Sequence, residues 1–143
     1  MSGGLAIFVK TPGQSPVKTR LARHFGRLKA EAFHLAAAEA VASVAVRAGQ
    51  AAGFTAHWAV AEREAMAGNA WKDLPCLFQG PGTLGERMDT VYRQLRRDGG
   101  FALLVGADAP QLRDETLARA ASWLDAAEPR LVIGRARDGG FWL

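Results

Sequence analysis

The sequence is short of the residues that mark several protein classes. Cys76 is its only cysteine among 143 residues, which excludes an internal disulfide and fits a reducing compartment. No apolar run approaches the roughly 18 residues that cross a bilayer. The short apolar run near the N-terminus has no basic segment before it, so no signal peptide is predicted. We therefore expect a cytoplasmic protein with no membrane partner.

An excess of charge of one sign is also nearly absent. Lys and Arg number 18 and Asp and Glu number 14, which gives a net charge of +4 without any long block of like charge. Such a small excess does not require nucleic acid as a partner, and no nucleic-acid motif is present. A local cluster of cations that binds a phosphorylated small molecule accounts for the balance equally well. The length and the 49% hydrophobic content predict one globular domain over residues 1–143.

Several common catalytic and binding motifs are missing. The chain has no Gly-x-x-x-x-Gly-Lys-Ser/Thr loop, which excludes a P-loop nucleotide site. Ser15 has no nucleophile-elbow context, so a hydrolase triad is rejected. His24, His34 and His57 lack the spacing of metal ligands, and structural or surface positions are expected for them.

Apolar runs and helical patterns alternate along the chain. Predicted strands cover Leu5–Val9, Phe54–Val60, Leu74–Phe78, Phe101–Gly106 and Arg130–Gly134. Predicted helices cover Pro16–Phe25, Leu28–Ala48, Glu62–Ala67, a segment from the Thr83 capping box to about Arg97, and Glu115 to about Ala126. Strands that alternate with helices indicate an α/β fold with a mainly parallel sheet.

The stretch from Lys10 to Leu21 connects the first strand to the first helix. Ser15 suits an N-cap and Pro16 suits the first helical position, so we expect the helix to begin there. Helix N-terminal amides bind anions, and cations in a first turn are unfavourable unless an anion lies among them. The predicted phosphate-binding residues are Lys10, Gly13, Lys18 and Arg20. The alternative is a basic, solvated loop.

Further polar residues follow the later predicted strands. Gln79 and Gly80 follow the third, Asp108 the fourth and Asp138 the fifth. Ligands of open parallel sheets bind at the carboxyl ends of the strands, where these residues should meet. Carboxylates and phosphates are the oxygen ligands that Mg²⁺ prefers. We therefore predict that Gln79 and Gly80 extend the phosphate site and that Asp108 and Asp138 share a divalent metal.

Each of these residues also has a simpler explanation. Asp108 precedes Ala109-Pro110 and is equally suited to an Asx turn. Asp138 has arginines beside it for a surface ion pair. Glu86 is favoured as a helix cap over a catalytic acid, and Arg87 is explained by solvation alone.

Several motifs together resemble a known family. They are Phe8–Gly13, Pro16–Leu21, Gln79-Gly80 with Leu84–Met88, Gly106–Pro110 and Asp138–Leu143. In this order they are similar to a bacterial family of uncharacterised GT-A-type glycosyltransferase-like proteins, within the nucleotide-diphospho-sugar transferase superfamily. That family is related to nucleotidyltransferases such as the molybdenum-cofactor and 2-phospholactate guanylyltransferases.

The resemblance implies a Rossmann-like three-layer sandwich that binds a nucleotide or nucleotide-sugar, often with Mg²⁺ or Mn²⁺. By this resemblance Lys10, Lys18 and Arg20 hold phosphates and Asp108 is the metal-binding acid. The implied activity is metal-assisted glycosyl or nucleotidyl transfer from a nucleoside di- or triphosphate, with no catalytic residue assigned. The alternative is a non-catalytic nucleotide-binding module, or an inactive fragment that lacks the acceptor half of the fold.

The chain ends on an apolar tripeptide, Phe141-Trp142-Leu143. The family that it resembles continues well past this point, so we expect the C-terminal part of the fold to be missing. A free apolar tail beside a sheet edge favours aggregation. We therefore expect the tail to be buried against a partner, most simply as a homodimer, or to pair back along its own sheet.

Overall fold

A computed structural model describes residues 2–143 and contains four strands and four α-helices. The strands are β1 (Gly3–Val9), β2 (Phe54–Val60), β3 (Cys76–Phe78) and β4 (Ala102–Gly106). The helices are α1 (Thr19–Phe25), α2 (Arg27–Ala52), α3 (Leu84–Leu95) and α4 (Asp114–Leu124), with a 3₁₀-helix at Arg63–Ala67. The alternation confirms the predicted α/β class.

The strands form one parallel sheet in the order β3-β2-β1-β4. The central strand β1 is paired on both sides: Ile7, for example, lies between Trp58 of β2 and Val105 of β4. Its nearly continuous apolar sequence suits a strand that is covered on both faces. Because all four strands run the same way, their carboxyl ends meet along one edge, which is called the carboxyl edge below.

Helices cover both faces of the sheet. Leu5, Ile7 and Val9 belong to the larger apolar core, which includes buried residues of α2 and α4. Ala6 belongs to a smaller core with Val91 of α3. Successive residues of a strand point to opposite faces, so α2 and α4 lie on one face and α3 on the other.

Helix α2 packs closely against the strand that follows it. Its buried residues are mostly alanines, and a Cβ added at Gly49 would lie 2.3 Å from the carbonyl oxygen of Phe54. The prediction that α2 ends at Ala48 is wrong, because Gly49 lies inside the helix. The helix ends at Gly53, whose φ of 78° suits a glycine cap.

The start of α1 differs from the prediction. The helix begins at Thr19, and Lys18 rather than Ser15 precedes it. Thr11 explains the shift, since its carbonyl oxygen accepts hydrogen bonds from the amides of Gln14 and Ser15 and so draws them into a turn. Ser15 is therefore committed to the loop and does not cap the helix.

The predicted fifth strand, Arg130–Gly134, is absent from the described chain. The chain there forms its own turn instead: Arg135 pairs antiparallel with Phe141, and the amide of Trp142 donates to the Gly134 carbonyl. The tail thus pairs back on the segment before it and not on the sheet. The homodimer through this tail stays a prediction.

The start of α3 confirms the predicted capping box. The Glu86 amide donates to Thr83 Oγ1 at 3.3 Å, and the Thr83 amide donates to Glu86 Oε2 at 3.0 Å. Gly82, with a φ of +103°, leaves room for the Glu86 carboxylate. The box fixes the chain between β3 and α3 beside the carboxyl edge. Within residues 2–143 no helix is long and apolar enough to cross a membrane.

Candidate functional site at the carboxyl edge

The carboxyl edge brings together side chains that are far apart in sequence. Lys10 directly follows β1, and Gln79 directly follows β3. Glu62 and Asp108 each stand two residues beyond their strands, β2 and β4. The edge therefore carries both cations and acids, as the predicted strand ends required.

Lys18 crosses from the loop before α1 to the end of β4. Its Nζ lies 2.6 Å from Oδ1 of Asp108, and it also lies 5.6 Å from the centre of the Phe33 ring on α2. The Asp108 side chain is 76% exposed and that of Lys18 is 21% exposed. The structure thus joins one predicted phosphate-binding cation to the predicted metal-binding acid, in a place that solvent and ligands can reach.

The backbone of Lys18 is strained. Its φ of 48° and ψ of 46° place it in the left-handed region, and within residues 2–143 it is the one non-glycine residue with a positive φ. Such a conformation costs on the order of 1–3 kcal/mol and persists where the surrounding structure enforces it, often at functional sites.

A rigid set of hydrogen bonds holds the turn that carries Lys10. Both carboxylate oxygens of Glu62 accept from the Thr11 amide, at 2.6 and 3.1 Å. Trp71 Nε1 donates to Thr11 Oγ1 at 2.9 Å. His34 Nε2 lies 2.8 Å from the Lys10 carbonyl oxygen, which can only accept, so this nitrogen carries the proton. Lys10 itself stays exposed on a fixed backbone.

Glu62 and Trp71 were not found from the sequence as parts of this edge. The sequence pattern places Glu62 at the start of a short helix, and it gives no sign that Trp71, which is buried in the core, also donates a hydrogen bond to Thr11. The only available signal was the position of Glu62 just after a strand, which by itself does not reveal a contact with Thr11.

Gln79 is almost completely buried, at 2% exposed. Its Nε2 donates to the carbonyl oxygens of Ala59 at 2.8 Å and Val9 at 3.4 Å. Its Oε1 accepts from Arg87 Nη1 at 3.0 Å. All the polar atoms of the Gln79 side chain therefore have protein partners, and they bind the ends of β1 and β2 to the first turn of α3.

Arg87 is the cation at the edge that sequence reasoning missed. It is partly buried, and its Nε is inaccessible and has no hydrogen-bond partner. Among the described residues no acidic side chain forms an ion pair with it. A solvated arginine, the simpler explanation from the sequence, does not bury its Nε.

The other predicted phosphate residues lie in different surroundings. Gly13 has a φ of 86° and open space around it, and Arg20 is exposed on α1. Gly80 is buried with a φ of 83°, and an added Cβ would contact Thr90 at 3.4 Å. The glycine at position 80 thus serves the turn into α3, where a side chain would be strained.

Asp138 lies in the turn of the C-terminal segment and not at the end of a fifth strand. Its Oδ1 accepts from the Gly140 amide at 2.9 Å. None of the described ion pairs joins it to the arginines beside it in sequence. Its sharing of a metal with Asp108 stays a prediction.

The carboxyl edge offers few ligands to a divalent cation. Within the described chain no group of three or more His, Cys, Asp or Glu residues could hold a metal ion. Asp108 offers one exposed carboxylate. Mg²⁺ is commonly bound by one or two carboxylates together with substrate phosphates and waters, and Asp108 suits that arrangement.

Two cavities, of about 640 and 620 Å³, lie beside the C-terminal segment, against α4 in one case and against α3 and β4 in the other. Another, of about 560 Å³, lies beside the loop before α1, where Gly13, Ser15 and Thr19 contribute to its wall. Their walls are mainly apolar, whereas the polar chemistry is at the carboxyl edge. The site is therefore an open surface of the sheet edge and not an enclosed cavity.

Comparisons with known proteins agree with this fold. The crystal structure of a protein from Desulfovibrio desulfuricans G20, provisionally named a nucleotide-diphospho-sugar transferase, superimposes with a TM-score of 0.78 at 25% sequence identity. The match covers 99% of this chain and 62% of that one, so the chain spans less than two thirds of that protein's length. A search of curated proteins found no significant match.

A family model supplies the assignment. It matches residues 34–143, which is more than three quarters of the chain, and its description is "Uncharacterized protein conserved in bacteria (DUF2064)". The matched range contains the Gln79–Arg87 pair, Asp108 and the C-terminal turn, whereas Lys10 and Lys18 precede it. The chain therefore belongs to this bacterial family, DUF2064, and has the fold of a nucleotide-diphospho-sugar transferase.

Proposed function

We propose that this protein binds a nucleoside di- or triphosphate donor at the carboxyl edge and transfers its glycosyl or nucleotidyl group. The observation that carries the proposal is Lys18, which combines a strained backbone with an exposed ion pair to Asp108. Strain at one cation that closes the edge is characteristic of a preorganised binding site.

In this proposal the cations act on the donor phosphates. Lys10, on its fixed turn, and Lys18 hold the phosphate oxygens, and Arg20 of α1 contributes a further charge. When phosphate is present, the Lys18 ammonium exchanges its contact with Asp108 for a phosphate oxygen. Charge-assisted hydrogen bonds of this kind are about twice as strong as neutral ones.

The metal-binding role falls to Asp108, with Asp138 as the proposed second acid. These two carboxylates would hold Mg²⁺ or Mn²⁺ together with the donor phosphates, and the ion would supply positive charge for the leaving pyrophosphate or nucleoside diphosphate. Asp108 places its carboxylate, and Lys18 keeps that carboxylate paired while no ligand is bound. Gln79 supports the site by holding Arg87, and Gly80 supports it through its backbone turn. Neither role needs a side-chain contact with phosphate.

The name of the Desulfovibrio desulfuricans protein favours a nucleotide-sugar donor over a nucleoside triphosphate. Nucleotidyl transfer uses the same cation cradle, so the residues described above serve both reactions. The two reactions differ in what leaves: a nucleoside diphosphate in glycosyl transfer and pyrophosphate in nucleotidyl transfer.

Isothermal titration with UDP, GDP and their sugar conjugates, with and without Mn²⁺, tests the proposal. We expect K18M to weaken nucleotide binding about tenfold or more, as the loss of one charged hydrogen bond does. K29M is the control for the loss of one positive charge, because Lys29 is exposed on α2 and takes part in none of the described ion pairs. D108N should remove the effect of Mn²⁺ on affinity.

Two results would contradict this assignment. One is the absence of binding by every nucleotide tried, and the other is equal affinity in K18M, K29M and the unchanged protein. Tight nucleotide binding with no turnover at any acceptor would instead support the non-catalytic binding module.

A further inference from the structure

The starting observation is the unbalanced charge of Arg87. The guanidinium of arginine stays protonated in proteins, so it cannot lose its charge on burial as a lysine can. Arg87 is partly buried, its Nε is inaccessible and unpartnered, and no carboxylate of the described chain neutralises it. A buried donor without a partner is unfavourable, and a partly buried cation is stabilised when an anion pairs with it.

The surroundings of Arg87 hold the guanidinium in a fixed place. Among residues 2–143 the guanidinium has one hydrogen-bond partner, Oε1 of Gln79, and the Gln79 amide is in turn anchored on the carbonyl oxygens of Ala59 and Val9. The buried amide has one orientation that satisfies these contacts, so its oxygen must face Arg87. The guanidinium is thereby held beside the ends of β1 and β2, next to the turn that carries Lys10.

Arg87 and Lys18 approach the edge from opposite faces of the sheet. Arg87 belongs to α3, whereas Lys18 contacts Phe33 of α2 on the other face. Lys18 already has a counter-ion in Asp108, whereas no acidic residue in the described part of the chain forms an ion pair with Arg87. The two cations therefore differ in how they can bind an anion. Lys18 must first give up its contact with Asp108, whereas Arg87 can pair with an anion directly.

We infer that Arg87 is an oxyanion-binding residue that pairs with a carboxylate or phosphate group of one of the two substrates. A fixed, planar guanidinium favours such groups because it donates two parallel hydrogen bonds to them. Gln79 is then the positioning residue for Arg87. This inference rests on the proposed function for the identity of the substrates, and on the contacts of Arg87 for the binding itself.

The test compares R87M and R87K with R97M in isothermal titrations. Arg97 is a matched control, because it also lacks a described ion pair but is exposed beyond the other end of α3. The first probe is UDP or GDP with Mn²⁺, and the second is inorganic phosphate added to the nucleotide-saturated protein. Thermal unfolding of each variant confirms the fold, and R87K decides the matter if R87M does not fold.

We expect R87M to bind one of the two probes about tenfold or more weakly than the unchanged protein does, and R97M to change the affinity less than about twofold. A loss of nucleotide affinity assigns the oxyanion to the donor. A loss confined to inorganic phosphate assigns it to the acceptor. R87K should resemble R87M, because lysine keeps the charge and loses the planar pair of donors.

The inference is overturned if R87M binds both probes as the unchanged protein does, or if R87M and R97M weaken them equally. It is also overturned if R87K retains full affinity, which would indicate a diffuse charge effect. If no nucleotide binds the unchanged protein, the proposed function fails. Inorganic phosphate titrated into the free protein and into R87M then decides the inference on its own.

Discussion

Lys18 and Arg87 are two cations on one sheet edge in opposite states. Lys18 pairs with an exposed carboxylate and has a strained backbone, whereas Arg87 lies on a regular helix, is held by a buried amide and has no counter-ion among the described residues. The exposed contact between Lys18 and Asp108 can be exchanged at a small cost in free energy, whereas the contact between Arg87 and Gln79 is anchored on a buried side chain. The difference teaches that position at the edge alone does not tell how a cation will respond to a ligand.

The largest expected effect comes from removing the buried contacts of Gln79, which hold Arg87 of α3. Q79L removes a buried amide and leaves the carbonyl oxygens of Ala59 and Val9 and the Arg87 guanidinium without that partner. We expect it to lower the free energy of unfolding by about 2–3 kcal/mol, measured by urea denaturation. D108N on the other side should cost less than about 1 kcal/mol, since exposed ion pairs contribute little. Equal losses in the two variants would contradict the contrast.

The next effect concerns the turn that carries Lys10, which the contact between Glu62 and Thr11 holds in place. E62Q replaces the charged acceptor of the Thr11 amide by a neutral one, so we expect a loss of about 1–2 kcal/mol in the free energy of unfolding. E64Q is the control, because Glu64 is exposed and nearby in sequence. The same stability in both variants would show that the Thr11 contact is not stabilising.

The strain at Lys18 is measured by comparing two variants of that residue. K18M and K18G both lose the ammonium and the ion pair, and they differ in how well they adopt a φ of 48°. We expect the free energy of unfolding of K18G to be about 1 kcal/mol higher than that of K18M, because glycine adopts the left-handed backbone conformation without steric strain. A more stable K18M would mean that the backbone there is relaxed.

The smallest expected effect concerns the thiol of Cys76, which contacts the backbone of Trp71. Burial raises the pKa of the Cys76 thiol, whose Sγ lies 3.1 Å from the Trp71 carbonyl oxygen. The folded state therefore favours the neutral thiol. The resulting stability is present below the ordinary thiol pKa and is lost as the pH rises through the raised value.

Alkylation of Cys76 with iodoacetamide across pH 7–10 measures this shift. The rate should rise later with pH than that of a free thiol in the same buffer. E62Q should react faster if loss of the Thr11 contact loosens the Trp71 region. A Cys76 rate that follows the free thiol would contradict the raised pKa.

Local sequence signals predicted part of this structure. The bounds of β2 and the Thr83–Glu86 capping box follow from patterns within a few residues. The meeting of Lys18 with Asp108 followed from the rule that parallel strands end at one edge. The family and the fold class were also predicted correctly from the motifs.

The errors fall where distant contacts decide the local structure. The predicted start of α1 at Pro16 failed because the Thr11 carbonyl draws the preceding amides into a turn. Arg130–Gly134 has strand-like residues, but its backbone pairs with the C-terminal tail. The burial of Gln79 was not predicted either, because it depends on carbonyl oxygens from two other strands, and its role as a phosphate ligand stays a prediction.

The Lys18–Asp108 pair has a consequence for the order in which the molecule assembles. It joins residues 90 positions apart, whereas β1, α2 and β2 form a compact unit from neighbouring parts of the chain. Closing a longer loop costs more chain entropy, so local units tend to form before distant ones. The carboxyl edge is thus completed only when β4 docks on β1, and the same step adds the buried β4 residues Leu103 and Val105 to the larger core.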